Sequence, residues 1–230
     1  MAQLIQTDIP ASHGILEGLL RLPDGMAASA ADAASKGGAL PTMAAVVGHP
    51  HPQFGGTMHN KVVFRLASAL VDHGIPALRF NFRGVGRSTG DWDHGRGEAE
   101  DIRAALDALA ERYPGIPLLL GGFSFGSWVG LPVGCGDPRV SHLIGVGVPV
   151  ALLAPADLAG CAKPKLVVQG EQDQYGPRAE LERWFADVSE PKRLSIVPGA
   201  DHFFTQYQTE LSAALDDGLR AWFPTTAPAR

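Results

Sequence analysis

The chain has 230 residues, and its 19 Lys and Arg stand against 24 Asp and Glu, which gives a formal net charge of −5. This mild acidity, without any block of like charges, argues against a surface built for nucleic acid or an anionic membrane. With 45% hydrophobic and 19% charged residues, a chain of this length can bury one core. We therefore expect a single domain over residues 1–230.

The cysteines and the apolar stretches indicate the cellular compartment in which the protein is expected. Cys135 and Cys161 are too few for a disulfide framework, and neither has the spacing of a zinc ligand. The N-terminus lacks the basic start and apolar core of a signal peptide. The longest uncharged stretch, 113–136, is interrupted by Gly and Pro, which favours a strand, a turn and a helix over a membrane span. We expect a cytoplasmic protein that does not act at a membrane.

The first predicted elements are two strand-like runs at 4–9 and 14–22, and the short linker between them indicates an antiparallel hairpin. The stretch 25–41 is rich in Ala, Ser and Gly and has no apolar stripe. It therefore predicts a flexible surface loop rather than a short helix. At the other end of the chain, we expect the tail 224–230 to be frayed.

From Met43 onward, short apolar runs alternate with amphipathic ones. The apolar runs predict buried strands, and the 3.6-residue periodicity of the other segments predicts helices. Strands are predicted at 43–49, 76–82, 116–123, 140–150, 163–170 and 192–199, and helices at 60–74, 97–115, from 125, at 177–188 and at 203–223. This alternation indicates an α/β fold with a mostly parallel sheet, helices on both faces and the antiparallel hairpin at one edge.

In a parallel sheet, ligands bind beyond the carboxyl ends of the strands, so the residues that follow each strand are the candidates for chemistry. Ser124 follows one strand within Gly122-Phe123-Ser124-Phe125-Gly126, a G-x-S-x-G pattern; Asp173 and His202 follow two later strands. A serine hydroxyl needs a general base, and the base needs an orienting acid. The order Ser, Asp, His at strand ends predicts this arrangement, with Ser124 on a tight turn between strand and helix.

Other residues compete for these roles. For the acid, Glu171 lies nearer the strand end, Asp201 adjoins His202, and Asp157 follows the preceding strand. For the base, the competing histidines are His49, His51, His59 and His94. The position of His202 after the last strand favours it.

Two further motifs suggest ligand binding but favour structural roles. The loop "HPHPQFGGTMH" contains three histidines and no acidic residue, so we expect it to shape the floor of the site rather than to hold a metal. The turn "RGVGRSTG" misses the dinucleotide-binding spacing, and we expect Arg83 and Arg87 to bond neighbouring residues there. No cofactor is predicted.

The motifs together resemble the α/β-hydrolase superfamily, and more narrowly its small, capless bacterial members of the dienelactone-hydrolase-like and predicted-esterase group. The matching segments cover the chain from about Met43 to the last helix: "GHPHPQFGGTMHNKVV", "LRFNFRGVGRSTGDWDHGRGE", "GGFSFGS", "VVQGEQDQ" and "PGADHFF". The resemblance implies that Ser124 is the nucleophile, Asp173 the acid and His202 the base.

The resemblance also implies an oxyanion hole formed by two backbone N–H groups. One is that of Phe125, which follows the nucleophile. The other lies in the loop after the strand ending at His49, where we favour His51 over Gln53 or Phe54, since the intervening prolines have no N–H. Dienelactone hydrolases proper carry a cysteine nucleophile, whereas this chain has serine, which favours ester substrates in general.

The segment 151–164 is short, and many relatives insert a helical cap there. We therefore expect no large cap domain and an open site for a small-molecule ester or acyl substrate. The sequence predicts a carboxylesterase-like serine hydrolase. The alternatives are a non-catalytic binding protein of the same fold, and an acyltransferase or peptidase that uses the same three residues.

Overall fold

The computed structural model describes residues 3–153 and 158–223. Within them, one eight-stranded sheet has the strand order β1-β2-β4-β3-β5-β6-β7-β8. The strands are β1 (Gln3–Ala11), β2 (Gly14–Leu22), β3 (Ala44–Gly48), β4 (Ala77–Phe80), β5 (Leu118–Phe123), β6 (Val140–Val146), β7 (Lys165–Gly170) and β8 (Lys192–Val197). The helices are α1 (Ala30–Lys36), α2 (Lys61–Asp72), α3 (Arg96–Arg112), α4 (Phe125–Gly136), α5 (Arg178–Asp187) and α6 (Gln208–Trp222).

The N-terminal hairpin forms one edge of the sheet. Strand β2 pairs antiparallel with β1 on one side and with β4 on the other. All other neighbouring strands pair in parallel. The predicted mostly parallel sheet with an antiparallel hairpin at its edge is confirmed.

The sheet separates two apolar clusters, because successive side chains of a strand point to opposite faces. Val46 of β3 belongs to the cluster that packs against α3, α4 and α5. The next residue, Val47, belongs to the cluster that packs against α2 and α6. Helices thus cover both faces, as predicted, and the carboxyl ends of the parallel strands meet at one edge.

The segment 25–41 differs from the prediction of a loop without a helix. It contains α1, and the Oγ of Ser29 accepts a hydrogen bond from the Asp32 N–H at the start of this helix. Lys36 pairs with Asp32 one turn away, and none of the residues of α1 is buried. The prediction was wrong because a cap and a high alanine content stabilise a helix that needs no apolar stripe.

The connection between β6 and β7 is short, and its described residues, 147–153 and 158–164, contain no helix or strand. The fold therefore has no large cap domain, as predicted. Asp157 and the tail 224–230 lie outside the described residues. In the part of the chain that the structure describes, no helix combines the length and the apolar composition that crossing a bilayer requires.

Candidate active site

Ser124 lies on a sharp turn between β5 and α4. Its backbone has φ 53° and ψ −117°, in the half of conformational space that side chains other than glycine rarely enter. Its N–H donates to the carbonyl of Val146 on the neighbouring strand at 2.9 Å. Its own carbonyl accepts from the N–H groups of Ser127 and Trp128 in the first turn of α4. These bonds hold the strained turn, which lifts the hydroxyl above the end of the sheet.

The two glycines of the G-x-S-x-G pattern permit this turn. A Cβ on Gly122 would lie 2.3 Å from the carbonyl carbon and oxygen of Gly126, and a Cβ on Gly126 would lie 2.5 Å from the carbonyl oxygen of Gly48. Helix α4 therefore approaches β5 and β3 so closely that only a hydrogen atom fits at either position. The spacing of the motif follows from this close approach.

The structure brings Ser124, His202 and Asp173 together. His202 Nε2 lies 2.9 Å from Ser124 Oγ, and His202 Nδ1 lies 2.7 Å from Asp173 Oδ2. Both His202 and Asp173 are 2% exposed. An ionised carboxylate only accepts hydrogen bonds, so the proton of a neutral His202 resides on Nδ1, and Nε2 accepts from the serine hydroxyl.

The carboxylate of Asp173 is fully engaged by hydrogen bonds. Its Oδ1 accepts from the backbone N–H groups of Tyr175 and Gly176, at 2.8 and 3.0 Å. Its Oδ2, which faces His202, also accepts from the side-chain amide of Gln169 at 2.8 Å. These donors compensate for burial of the charge and fix the direction of each oxygen.

The role of Gln169 was missed from the sequence. It lies in β7, is fully buried, and bonds the backbone of Val148 through both of its amide atoms as well as Asp173. It therefore joins the segment after β6 to the loop after β7 that contains Asp173. The available signal was a polar amide near the end of the mostly apolar strand "KLVVQG", because a buried amide requires partners.

The described competitors of Asp173 have other partners. Glu171 accepts from the N–H of Gly199, and Asp201 accepts from the N–H of Thr205. Of the competing histidines, His59 is exposed, and the His94 ring lies tilted against that of Trp92 with ring centroids 5.6 Å apart.

The loop after β3 lies on the other side of Ser124. Among the described residues, the backbone N–H groups of His51 and Phe125 have no hydrogen-bond acceptor, whereas that of Gln53 donates to His51 Nδ1 and that of Phe54 donates to the His51 carbonyl. The His51 ring packs against Phe54, Trp92 and Phe125. This partial burial lowers the pKa of His51.

His49 is fully buried beneath the same loop. Its Nε2 accepts from the Phe82 N–H at 3.0 Å, so Nδ1 carries the proton and donates to the Pro50 carbonyl at 2.6 Å. Burial lowers the pKa of His49 to about 4. Both nitrogens are engaged by the backbone, which leaves neither as a metal ligand.

The turn "RGVGRSTG" has the structural role predicted for it. Arg83 forms a buried pair with Asp101 of α3, at 2.8 Å from guanidinium to carboxylate. Arg87 bonds Glu17 of β2. The two arginines attach this turn to α3 and to the edge hairpin.

A cavity of about 400 Å³ opens above Ser124 and His202. Phe54, Leu152 and Phe203 stand at its mouth with 85%, 66% and 50% exposure. No Asp, Glu, Lys or Arg side chain lines it among the described residues; its further lining is Pro50, His51, Gly55, Gly56, Asn60, Phe125, Pro149, Leu153 and Tyr175. Ser124 and His202 therefore lie at the base of an open, mainly apolar depression.

Residues 53–217 match the model of a protein family described as an alpha/beta hydrolase domain. This match covers well over half of the chain and includes Ser124, Asp173 and His202. The chain belongs to the α/β-hydrolase family.

Relatives of this α/β hydrolase agree with the assignment. An uncharacterised protein of Rickettsia prowazekii is 38% identical over 76% of this chain and 77% of its own. An α/β serine hydrolase homologue from Coxiella burnetii is 36% identical, covers 94% of this chain and 97% of its own, and superimposes with a TM-score of 0.83. An α/β serine hydrolase without a lid from Xanthomonas campestris is 32% identical over 98% of this chain and 97% of its own, with a TM-score of 0.84.

Proposed function

We propose that this α/β hydrolase is a serine esterase that cleaves the ester bond of a small, uncharged substrate through an acyl-enzyme. The observation that carries the proposal is the unbroken hydrogen-bond chain from Ser124 Oγ through His202 to Asp173. A serine hydroxyl with a base at 2.9 Å and a buried acid behind that base is arranged for nucleophilic attack on a carbonyl.

The reaction proceeds in two halves. His202 Nε2 takes the proton of Ser124 as Oγ attacks the carbonyl carbon, and the leaving alcohol then receives this proton as the acyl-enzyme ester forms. A water molecule next gives a proton to His202 and attacks the acyl carbon, and Ser124 Oγ leaves with that proton. Asp173 holds Nδ1 throughout and stabilises the imidazolium that forms in each half.

In the proposed mechanism, the N–H groups of Phe125 and His51 stabilise the negative charge that develops on the carbonyl oxygen of the substrate. Both lack an acceptor in the described part of the chain and both residues line the cavity. The N–H groups of Gln53 and Phe54 are already engaged by His51, which favours His51 as the second donor. Each such donor contributes on the order of 3 kcal/mol to a transition state of this kind.

The first test is covalent labelling together with ester turnover. We expect the purified chain to react with a fluorophosphonate probe and to hydrolyse p-nitrophenyl esters, and Ser124→Ala to lose the labelling and nearly all turnover. Ser212→Ala on α6 is the matched control and should retain both activities. A wild-type chain that neither reacts with the probe nor turns over any acyl substrate would contradict the proposal and favour a non-catalytic binding protein.

The lining of the cavity supports an uncharged acyl group, because a carboxylate placed there would lose water without gaining a cationic partner among the described residues. We expect p-nitrophenyl hexanoate to have a kcat/KM at least about 10-fold higher than the ester of equal chain length that ends in a free carboxylate. Thioester and peptidyl amide substrates in the same panel, with and without an acceptor alcohol, separate an esterase from a peptidase or an acyltransferase. Equal kcat/KM for the two esters would contradict the assignment to uncharged substrates.

A further inference from the structure

We propose that His49 is a positioning residue for the oxyanion hole: it fixes the Pro50–His51 peptide so that the His51 N–H points toward the reacting carbonyl. This inference rests on the proposed function, because it concerns how one donor of that site is held. It adds a residue that never touches substrate and lies beneath the loop.

The argument starts from the geometry of one peptide group. The carbonyl of Pro50 and the N–H of His51 belong to the same planar unit and point in opposite directions when the peptide bond is trans. The Pro50 carbonyl points into the protein, toward His49 Nδ1 at 2.6 Å. The His51 N–H therefore points away from the interior, on the side of the cavity that Pro50 and His51 line.

The ring of His49 is itself held in one orientation. Its Nε2 accepts from the Phe82 N–H at 3.0 Å, and the two rings form an edge-to-face contact with centroids 4.7 Å apart. Only the tautomer with its proton on Nδ1 satisfies both the Phe82 N–H and the Pro50 carbonyl. The backbone after β4 thus sets the direction of a peptide in the loop after β3.

Gly56 packs against the same peptide. A Cβ at this position would lie 2.0 Å from the Pro50 carbonyl oxygen, so the backbone of Gly56 packs directly on that carbonyl. The N–H of Gly56 also donates to the His51 carbonyl at 3.0 Å. The hydrogen bond from His49 and the close packing of Gly56 together restrict the orientation of this peptide.

Two substitutions at position 49 separate the two hydrogen bonds. His49→Asn places an amide N–H near the position of Nδ1 and keeps the donor to Pro50, but it loses the acceptor for Phe82. His49→Gln places its polar end near the position of Nε2 and keeps the acceptor for Phe82, but it loses the donor to Pro50. Both variants bury an uncharged amide at the same position, and they differ in which bond survives.

The readouts are kcat and KM for a p-nitrophenyl ester, affinity for an alkyl boronic acid that forms a tetrahedral adduct with Ser124, and the urea midpoint. For His49→Gln we expect kcat to fall about 10- to 100-fold with little change in KM, since a misdirected donor acts in the transition state. Boronate affinity should fall by a similar factor. For His49→Asn we expect kcat within about threefold of the wild type, although the urea midpoint falls in both variants because each loses one buried hydrogen bond.

Other results overturn the inference. Equal losses of kcat in the two variants would mean that His49 acts through packing alone. An unchanged kcat in His49→Gln would mean that the peptide keeps its orientation without the hydrogen bond from position 49. If His49→Gln does not fold, Gly56→Ala is the deciding variant, because its methyl group displaces the same carbonyl while His49 remains. A lower kcat at similar KM in this variant supports the inference, and an unchanged kcat overturns it. Ser124-dependent turnover at full rate in His49→Gln, or in Gly56→Ala where His49→Gln does not fold, overturns this inference alone. A wild-type chain without Ser124-dependent turnover overturns the proposed function as well.

Discussion

Two loops on opposite sides of Ser124 each contain a buried histidine, and they use it in different ways. His202, in the loop after β8, has a carboxylate on one nitrogen and the serine hydroxyl on the other. His49, after β3, has a backbone carbonyl on one nitrogen and a backbone N–H on the other. Both rings are 2% exposed or less, so burial does not distinguish them.

The difference lies in the partners. In the proposed mechanism, the carboxylate of Asp173 stabilises a positive charge on His202 when the reaction creates one, and the serine supplies the proton. The Phe82 N–H opposes a proton on Nε2 of His49, and no described carboxylate bonds its Nδ1. We therefore propose that His202 gains and loses a proton during turnover, whereas His49 stays neutral and holds a peptide.

The largest effect that tests this contrast is expected from Asp173→Asn. Oδ1 of Asp173 accepts from two backbone N–H groups, so the asparagine would keep its carbonyl there and turn its amide N–H₂ toward His202. His202 Nδ1 would then have to accept, which places the ring proton on Nε2, facing Ser124, and leaves no base. We expect kcat to fall by about 10³- to 10⁴-fold, as is typical when the tautomer of a triad histidine is reversed.

Asp201→Asn is the matched control, because Asp201 adjoins His202 in sequence while its carboxylate accepts only from the Thr205 N–H among the hydrogen bonds described. An asparagine oxygen can accept this bond equally well, so kcat should stay within about threefold of the wild type. Steady-state ester hydrolysis measures both variants. A comparable loss in the two would contradict the assignment of Asp173 as the acid.

The sequence allowed much of the fold to be predicted, because local sequence patterns indicate most of its helices and strands. The run Leu118–Phe123 is continuously apolar, and the face of α2 repeats at helical spacing through Val63, Leu66 and Leu70. The positions of Ser124, Asp173 and His202 after three of the parallel strands were also visible, since parallel strands end at the same edge. Helix α1 was not predicted, because its sequence signal is the N-capping residue Ser29 and not an apolar stripe.

The contacts that hold the site could not be predicted from the sequence in the same way. The partner of His49 is the backbone of Phe82, and Gln169 bonds Val148 as well as Asp173. Backbone N–H and carbonyl groups are present at every residue, so no residue type marks which of them a buried side chain will meet. Only the register of neighbouring strands decides this.

A smaller effect, on stability, tests the neutral histidine directly. The pKa of His49 is lowered by burial from 6.5 to about 4 in the folded chain, so the unfolded chain binds the proton more tightly. The contribution of neutral His49 to stability is therefore complete above pH 6.5 and is lost as the pH falls to about 4. The two pKa values correspond to roughly 3 kcal/mol of unfolding free energy across this interval.

The measurement compares urea unfolding of the wild type and of His49→Asn between pH 7 and pH 4. All other titrating groups are common to the two chains, so their difference in unfolding free energy isolates position 49. The wild type should lose its advantage as the pH falls, because a proton on Nε2 would oppose the Phe82 N–H and leave a buried cation without a described carboxylate partner. Parallel curves of unfolding free energy against pH would mean that His49 accommodates the proton in the folded state. His49 and His202 would then differ in their position in the site and not in their ability to bind a proton.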